Sequence, residues 1–150
     1  MKVTLKTRYG IVAALDLALQ DGPGPVQAKT IAQRQDIPAR FLEQVLSAMK
    51  KGGLVESVRG AQGGYVLSKD AGDTSLADII HALDGTLEAP GQKSKGTRRG
   101  GNPQRCELLL AAVWEQVREA ERAILASVTL SELAERYRRL EHEQAVMYHI

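Results

Sequence analysis

The sequence predicts a mainly α fold, with a winged helix-turn-helix domain followed by a long dimerisation helix, and three observations carry that prediction. Two short β-prone runs in Leu54-Val55-Glu56-Ser57-Val58-Arg59-Gly60-Ala61-Gln62-Gly63-Gly64-Tyr65-Val66-Leu67 flank a loop with three glycines, and Arg59 stands at its mouth. Glycine supplies the positive φ that a tight strand-to-strand connection needs. An amphipathic helix that opens at Pro38 lies directly upstream, with a shorter helix before it. Near the C-terminus, apolar residues recur at alternating spacings of three and four, as in a short coiled-coil seam. Helix, turn, helix and an arginine-bearing hairpin is the order of a DNA-reading unit.

The elements follow in order. Ile11, Ala14, Leu15, Ala18 and Leu19 have helical spacing, so a first helix is expected over about 7–19 with these residues inward. Asp21-Gly22-Pro23-Gly24-Pro25 ends it. A short helix over about 27–35 buries Ala28, Ile31 and Ala32, and Asp36-Ile37 makes the turn. Pro38 suits the first position of the third helix, about 38–51, because its missing N–H has no partner there anyway. At 100° per residue, Phe41, Leu42, Val45, Leu46 and Met49 share one face, and Arg40, Glu43, Gln44, Ser47 and Lys51 the other. The first set is core. The second is a row of hydrogen-bonding side chains that a major groove accepts. Gly52-Gly53 stops this helix and the wing occupies 54–68. A fourth helix is expected over 76–84, with Ser75 as N-cap, Asp78 in the first turn, Leu76, Ile79, Ile80 and Leu83 inward, and Gly85 at its end.

Composition then shifts. Residues 85–105 hold five glycines, two prolines and five Lys/Arg but one large aliphatic, Leu87. Such a stretch buries too little surface to offset its ordering entropy, so 86–105 reads as a mobile basic loop. A long helix follows over 106–127, with a seam of Leu110, Val113, Val117, Ala120 and Ile124, and with Glu115, Arg118, Glu119 and Arg122 paired on its wet side. A helix this long in so short a chain needs a surface to pack on, and a twin subunit supplies one. Thr129-Leu130-Ser131-Glu132 has the capping-box pattern and opens a last helix through Leu133, Ala134 and Tyr137. The apolar ending 146–150 is expected to dock on the body of the dimer. The domain reading is therefore a DNA-binding unit over 1–85, a loop over 86–105, and a dimerisation region over 106–150.

The 150 residues carry a net charge of only +2, but unevenly. Residues 1–69 hold ten Lys/Arg against five Asp/Glu, and residues 70–150 hold ten against thirteen. A basic N-terminal half and a mildly acidic C-terminal half suit a phosphate reader joined to an assembly element. No apolar run approaches about 20 residues, which argues against a membrane span. A single cysteine excludes an intrachain disulfide framework and points to a reducing cytoplasm.

Catalytic signatures are missing. There is no phosphate-binding P-loop, dinucleotide fingerprint or HExxH, and His81, His142 and His149 have no metal-ligand spacing relative to Cys106. Cys106 follows Arg105 near a helix N-terminus, a setting in which thiols can be reactive, so a redox-sensor role is one reading of it. Two rival functions use the same elements: a winged helix that recognises protein without a DNA site, and a thiol-based redox protein built on Cys106.

A set of matching segments spans nearly the whole chain. They are Leu5-Lys6-Thr7-Arg8-Tyr9-Gly10, Ile31-Ala32, Phe41-Leu42-Glu43-Gln44, Gly53-Leu54-Val55, Arg59-Gly60-Ala61-Gln62-Gly63-Gly64-Tyr65 and Thr129-Leu130-Ser131-Glu132-Leu133. In these the chain resembles the Rrf-two family of bacterial winged-helix transcription regulators. The resemblance implies a homodimeric repressor of a palindromic double-stranded operator. It implies DNA contacts from Lys6, Thr7, Arg8 and Tyr9, from Arg40, Phe41, Glu43, Gln44, Ser47 and Lys51, and from Arg59 and Gln62 in the wing. Cluster-binding members place three cysteines between the fourth helix and the dimer helix, whereas 85–106 offers only Cys106. One thiolate per subunit cannot supply the four protein ligands of a typical iron–sulfur cluster, so no cofactor or metal is expected. The chain thus looks like the cluster-free branch. Its ending, Glu143-Gln144-Ala145-Val146-Met147-Tyr148, resembles the family's cysteine-metabolism repressor, which implies a cysteine-synthesis enzyme as co-regulator.

Overall fold

A computed structural model describes residues 1–85 and 105–149. The described elements are α1 (Leu5–Leu19), α2 (Ala28–Gln35), α3 (Ala39–Lys51), β1 (Val55–Val58), β2 (Gly64–Leu67), a 3-10 turn at Ala71–Asp73, α4 (Leu76–Asp84), α5 (Arg105–Ser127) and α6 (Leu130–Tyr148). The expected order of helices and hairpin is observed. The basic loop expected over 86–105 falls outside the described residues except for Arg105, which opens α5.

Helix α1 starts two residues earlier than its apolar repeat indicates, because Thr4 caps it: the hydroxyl accepts from the Thr7 N–H at 3.1 Å. Its deepest face also differs from the expected one. Thr7, Gly10, Ala13, Ala14 and Leu17 are buried, whereas Ile11, Leu15 and Ala18 are only partly so. The reason is that α1 packs against α2, α3, α4, α6 and β2 at once. Small residues let several helices approach one line. A Cβ on Gly10 would overlap the Leu83 side chain of α4.

In α3, Leu42, Val45, Leu46 and Met49 are all wholly buried, as the amphipathic pattern requires. Pro38 sits at the N-cap rather than inside the helix: its ψ of 124° is extended, and its carbonyl accepts the first helical N–H, from Leu42, at 3.0 Å. Between α2 and α3, Asp36 takes a left-handed conformation (φ 51°) that turns the chain.

The wing pairs β1 with β2 in antiparallel register, Val55 opposite Leu67 and Val58 opposite Gly64. A third segment joins it without having been legible beforehand. Val26 bridges Tyr65 through two backbone hydrogen bonds of 3.0 and 2.8 Å, which anchors the hairpin to the start of α2. Gly64 makes this possible. Its φ is +149°, and a Cβ there would run into the Val26 backbone.

Helix α4 has the expected bounds and a complete capping box between Ser75 and Asp78. The box expected at α6 is half formed. Thr129 accepts from the Glu132 N–H at 3.2 Å, but the Glu132 carboxylate pairs with Arg136 instead of returning to the cap. Leu130 enters the N-terminal core, and Ser75 bridges Thr129, so the C-terminal region is tied to the winged domain at its base. Near the other end of α1, the buried Asp16 carboxylate accepts from Arg34 at 2.6 Å and Gln35 at 2.8 Å, locking α2 onto α1. A buried carboxylate needs such partners to offset its lost hydration. Tyr137 of α6 borders this pair, and hydrogen bonding to Glu141 raises its phenol pKa, with the Asp16 charge adding to the effect.

Gly64→Ala is expected to destabilise the chain by about 1–3 kcal/mol, as strained overpacking does. A lowered urea midpoint checks it, with Gly72→Ala, at a glycine without positive φ whose added Cβ meets nothing, as the milder comparison.

Candidate nucleic-acid interface

The amphipathic split of α3 decides what the domain offers to solvent. Because Leu42, Val45, Leu46 and Met49 are fully buried, Arg40, Glu43, Gln44, Ser47 and Lys51 are all exposed on the opposite face. They line one open groove of about 650 Å³ together with Lys6 of α1. Lys6, Arg40 and Lys51 are cationic, and Glu43, Gln44 and Ser47 offer hydrogen-bonding atoms without positive charge, a mixture suited to phosphates at the edges and base edges between them.

Arg59 and Gln62 are exposed at the hairpin tip. Two side-chain contacts tie the hairpin to the helices, its tip to the start of α2 and its first strand to α3. Gln27 Nε2, beside the N-terminus of α2, donates to the Ala61 carbonyl at 3.3 Å, and Lys50 Nζ donates to Ser57 Oγ at 2.6 Å. Neither residue was singled out from the sequence, since each acts through a neighbour that only the fold supplies.

The first turn of α1 divides. Arg8 is exposed and Lys6 is half-buried, donating to the Leu83 carbonyl at 3.2 Å. Tyr9 and Phe41 are half-buried and meet edge to face, with centroids 5.4 Å apart, so their visible task is to brace α1 on α3. Thr7 corrects the expectation of a phosphate contact. Its side chain is wholly buried and its hydroxyl is engaged by Asp84, because the helix starts at Leu5 and turns this position inward.

Far from the groove, Leu110, Val113, Val117, Ala120 and Ile124 of α5 are all exposed in the single chain. So are Leu109 and Trp114, which the alternating pattern left out. Leu125 is the buried residue of this helix among those described, and it marks the face turned to the chain's own core. The seam lies on a different face. Ion pairs of Arg118 with Glu115 and of Arg122 with Glu119 and Glu115 cover the wet side, as expected.

Helix-turn-helix, a braced hairpin with an arginine at its tip, and a cationic groove along the second helix define a winged helix-turn-helix DNA-binding protein. Comparison with known proteins narrows the class. Residues 3–136 match the Rrf2 family, described as an iron-dependent transcriptional regulator, and the chain belongs to that family. It is 41% identical over 133 residues to the HTH-type transcriptional regulator IscR of Klebsiella pneumoniae, which covers 89% of this chain and 79% of the relative. Among solved structures, CymR (YrzC), the global cysteine regulator of B. subtilis, matches with a TM-score of 0.74 and 33% identity, covering 90% of this chain and 97% of that one. IscR of T. potens matches with a TM-score of 0.71 and 35% identity, over 91% and 88%. The protein is a DNA-binding transcription regulator with a winged-helix fold.

The iron dependence in the family description raises a question of ligands. Cys106 is exposed in the first turn of α5 and is the one cysteine of the sequence. Among the described residues no three His, Cys, Asp or Glu side chains are placed to share a metal. One thiolate does not fit a cluster that takes four protein ligands. Among the described residues, no helix is long and apolar enough to cross a membrane. Anaerobic reconstitution with iron and sulfide is expected to leave the protein without a stoichiometric visible absorption band; a stable band at one cluster per subunit would overturn the argument from cysteine count.

Proposed function

We propose that the protein is a homodimeric, sequence-specific repressor that reads a two-fold symmetric operator without an iron–sulfur cluster. The single observation that carries the DNA part is the groove in which Lys6 joins the whole polar face of α3. The helix enters the major groove, where Arg40 pairs with guanine, Gln44 with adenine and Glu43 with cytosine by geometric preference. Ser47 and Lys51 extend the row, and Arg8 reaches phosphate. The wing sets Arg59 into or beside the minor groove, where narrow A·T-rich tracts attract arginine, with Gln62 next to it.

The dimer is supported by α5. Leu110 is 55% exposed, Val117 44% and Ile124 64%, a row of large apolar side chains that a soluble monomer seldom leaves in water. Burying each is worth roughly 1.5–3 kcal/mol, so two copies of the seam outweigh the cost of association. Two-fold symmetry then spaces the recognition helices about 34 Å apart, or a multiple of it, and the half-sites follow.

A role in sulfur metabolism is supported by the likeness to CymR and by the C-terminal turn of α6, where Met147 is 75% and Tyr148 88% exposed. We assign that turn to contact with a cysteine-synthesis enzyme acting as co-regulator. Titration of such an enzyme into the protein, with and without residues 146–150, distinguishes this contact from none.

Arg59→Ala is expected to weaken operator binding by roughly 1–3 kcal/mol and to make its salt dependence shallower. Glu43→Ala and Gln44→Ala are expected to change sequence preference more than general affinity. Binding to selected genomic fragments and to random duplex, across a salt series, reads both effects; equal loss on both DNAs for the α3 variants would mean that the helix only positions on phosphates.

Val117→Glu sets like charges across the proposed dimer axis. Light scattering is expected to show monomers or unfolded chain, with loss of specific DNA binding although no DNA-facing residue has changed. A wild type that is a stable monomer at micromolar concentration would refute the dimer.

A further inference from the structure

We propose that the last turn of α4 is a positioning platform for the DNA-facing start of α1, with Asp84 as the positioning residue and Lys6 as the group it places. The inference rests on reading the α3 groove as a DNA surface.

The platform is built from contacts about 80 residues apart in sequence. Thr4 Oγ1 lies 2.9 and 3.1 Å from the two carboxylate oxygens of Asp84 and shares its one hydrogen with them. The same oxygen accepts from the Thr7 N–H, so the cap of α1 is itself held by α4. Thr7 Oγ1 donates to Asp84 Oδ2 from a fully buried position. One residue earlier in α4, the Leu83 carbonyl accepts from Lys6 Nζ.

The placement of Asp84 is not accounted for by α4 alone. A carboxylate in the last turn of a helix opposes the helix dipole, which favours cations there. Asp84 instead serves α1, whose two threonine hydroxyls it gathers. Lys6 is the favourable cation at that same C-terminus, and an ammonium has three donors. Leu83 takes one and two remain for phosphate oxygens. Lys6 lines the groove with Arg40, Glu43, Gln44, Ser47 and Lys51. An unrestrained lysine loses much rotamer freedom when a phosphate fixes it, and one already held loses less. Removing Asp84 frees the cap, and with it the first turn that carries Lys6.

The test is the salt dependence of binding to a fluorescently labelled random-sequence duplex, by anisotropy, for wild type, Lys6→Ala, Asp84→Ala, Asp84→Asn and the Lys6→Ala/Asp84→Ala pair. Lys6→Ala is expected to reduce the slope of log K against log salt by about one per subunit. Asp84→Ala is expected to reduce it in the same direction, the double variant to match Lys6→Ala, and Asp84→Asn, which keeps one acceptor oxygen, to recover part of it. A merely structural role would lower melting temperature or active fraction and leave the slope alone. A wild-type slope for Asp84→Ala beside a reduced one for Lys6→Ala overturns the platform; should Asp84→Ala not fold, Asp84→Asn carries the same comparison. A wild-type slope for Lys6→Ala overturns the groove reading and the platform with it.

Discussion

Complete burial of one stripe of α3 is the constraint on which the rest depends. Leu42, Val45, Leu46 and Met49 leave no exposed surface, so the helix cannot roll about its axis without putting large apolar groups in water. Its polar side chains therefore keep a fixed bearing on any duplex laid against them. The wing inherits that bearing through Lys50 and Ser57, and α2 inherits it through the left-handed turn at Asp36.

Helix α1 works as the shared wall of this arrangement, and a carboxylate secures each of its ends. Asp84 of α4 gathers the first turn, and Asp16 in α1 itself holds Arg34 and Gln35 of α2. Between the two, Gly10, Ala13 and Ala14 keep the wall thin enough for α3 and α4 to close on it. Small residues give the close approach, and the charged ends give direction, which apolar packing alone supplies poorly.

Helix α5 follows the opposite logic. Among its described residues only Leu125 is buried, while its seam remains in water. Its base is tied to the winged domain by the Ser75–Thr129 bridge and by buried Leu130, so the apolar face starts from an anchored end. In the proposed dimer, whatever packs on that seam would set where the winged domains stand.

The sequence by itself determined the order of elements, the bounds of all but the last helix to within a residue or two, and the inward and outward faces of α3, because a strong 3.6-residue period, glycine punctuation and capping residues are local signals; α6 runs on to Tyr148, well past the Tyr137 reached by its sequence pattern. The exposed members of the groove were legible for the same reason: Arg40, Glu43, Gln44, Ser47 and Lys51 follow from the angle around one helix. The face of α1 was legible only in part: Ala14 is core and Ile11, Leu15 and Ala18 pack against it, but the deeper line through Gly10, Ala13 and Leu17 was not. It is small-residue packing against several partners, and Ala or Gly carries little periodic signal. The phosphate contact that the family resemblance implied for Thr7 gave no sign of its burial, which depends on Asp84, far away in the chain. Only the tertiary structure decided that Val26 would join the wing, that Lys6 would share the groove of α3, and that Glu132 would pair with Arg136 rather than close its box. Each of these depends on which surfaces meet, and sequence spacing constrains only neighbours along the chain.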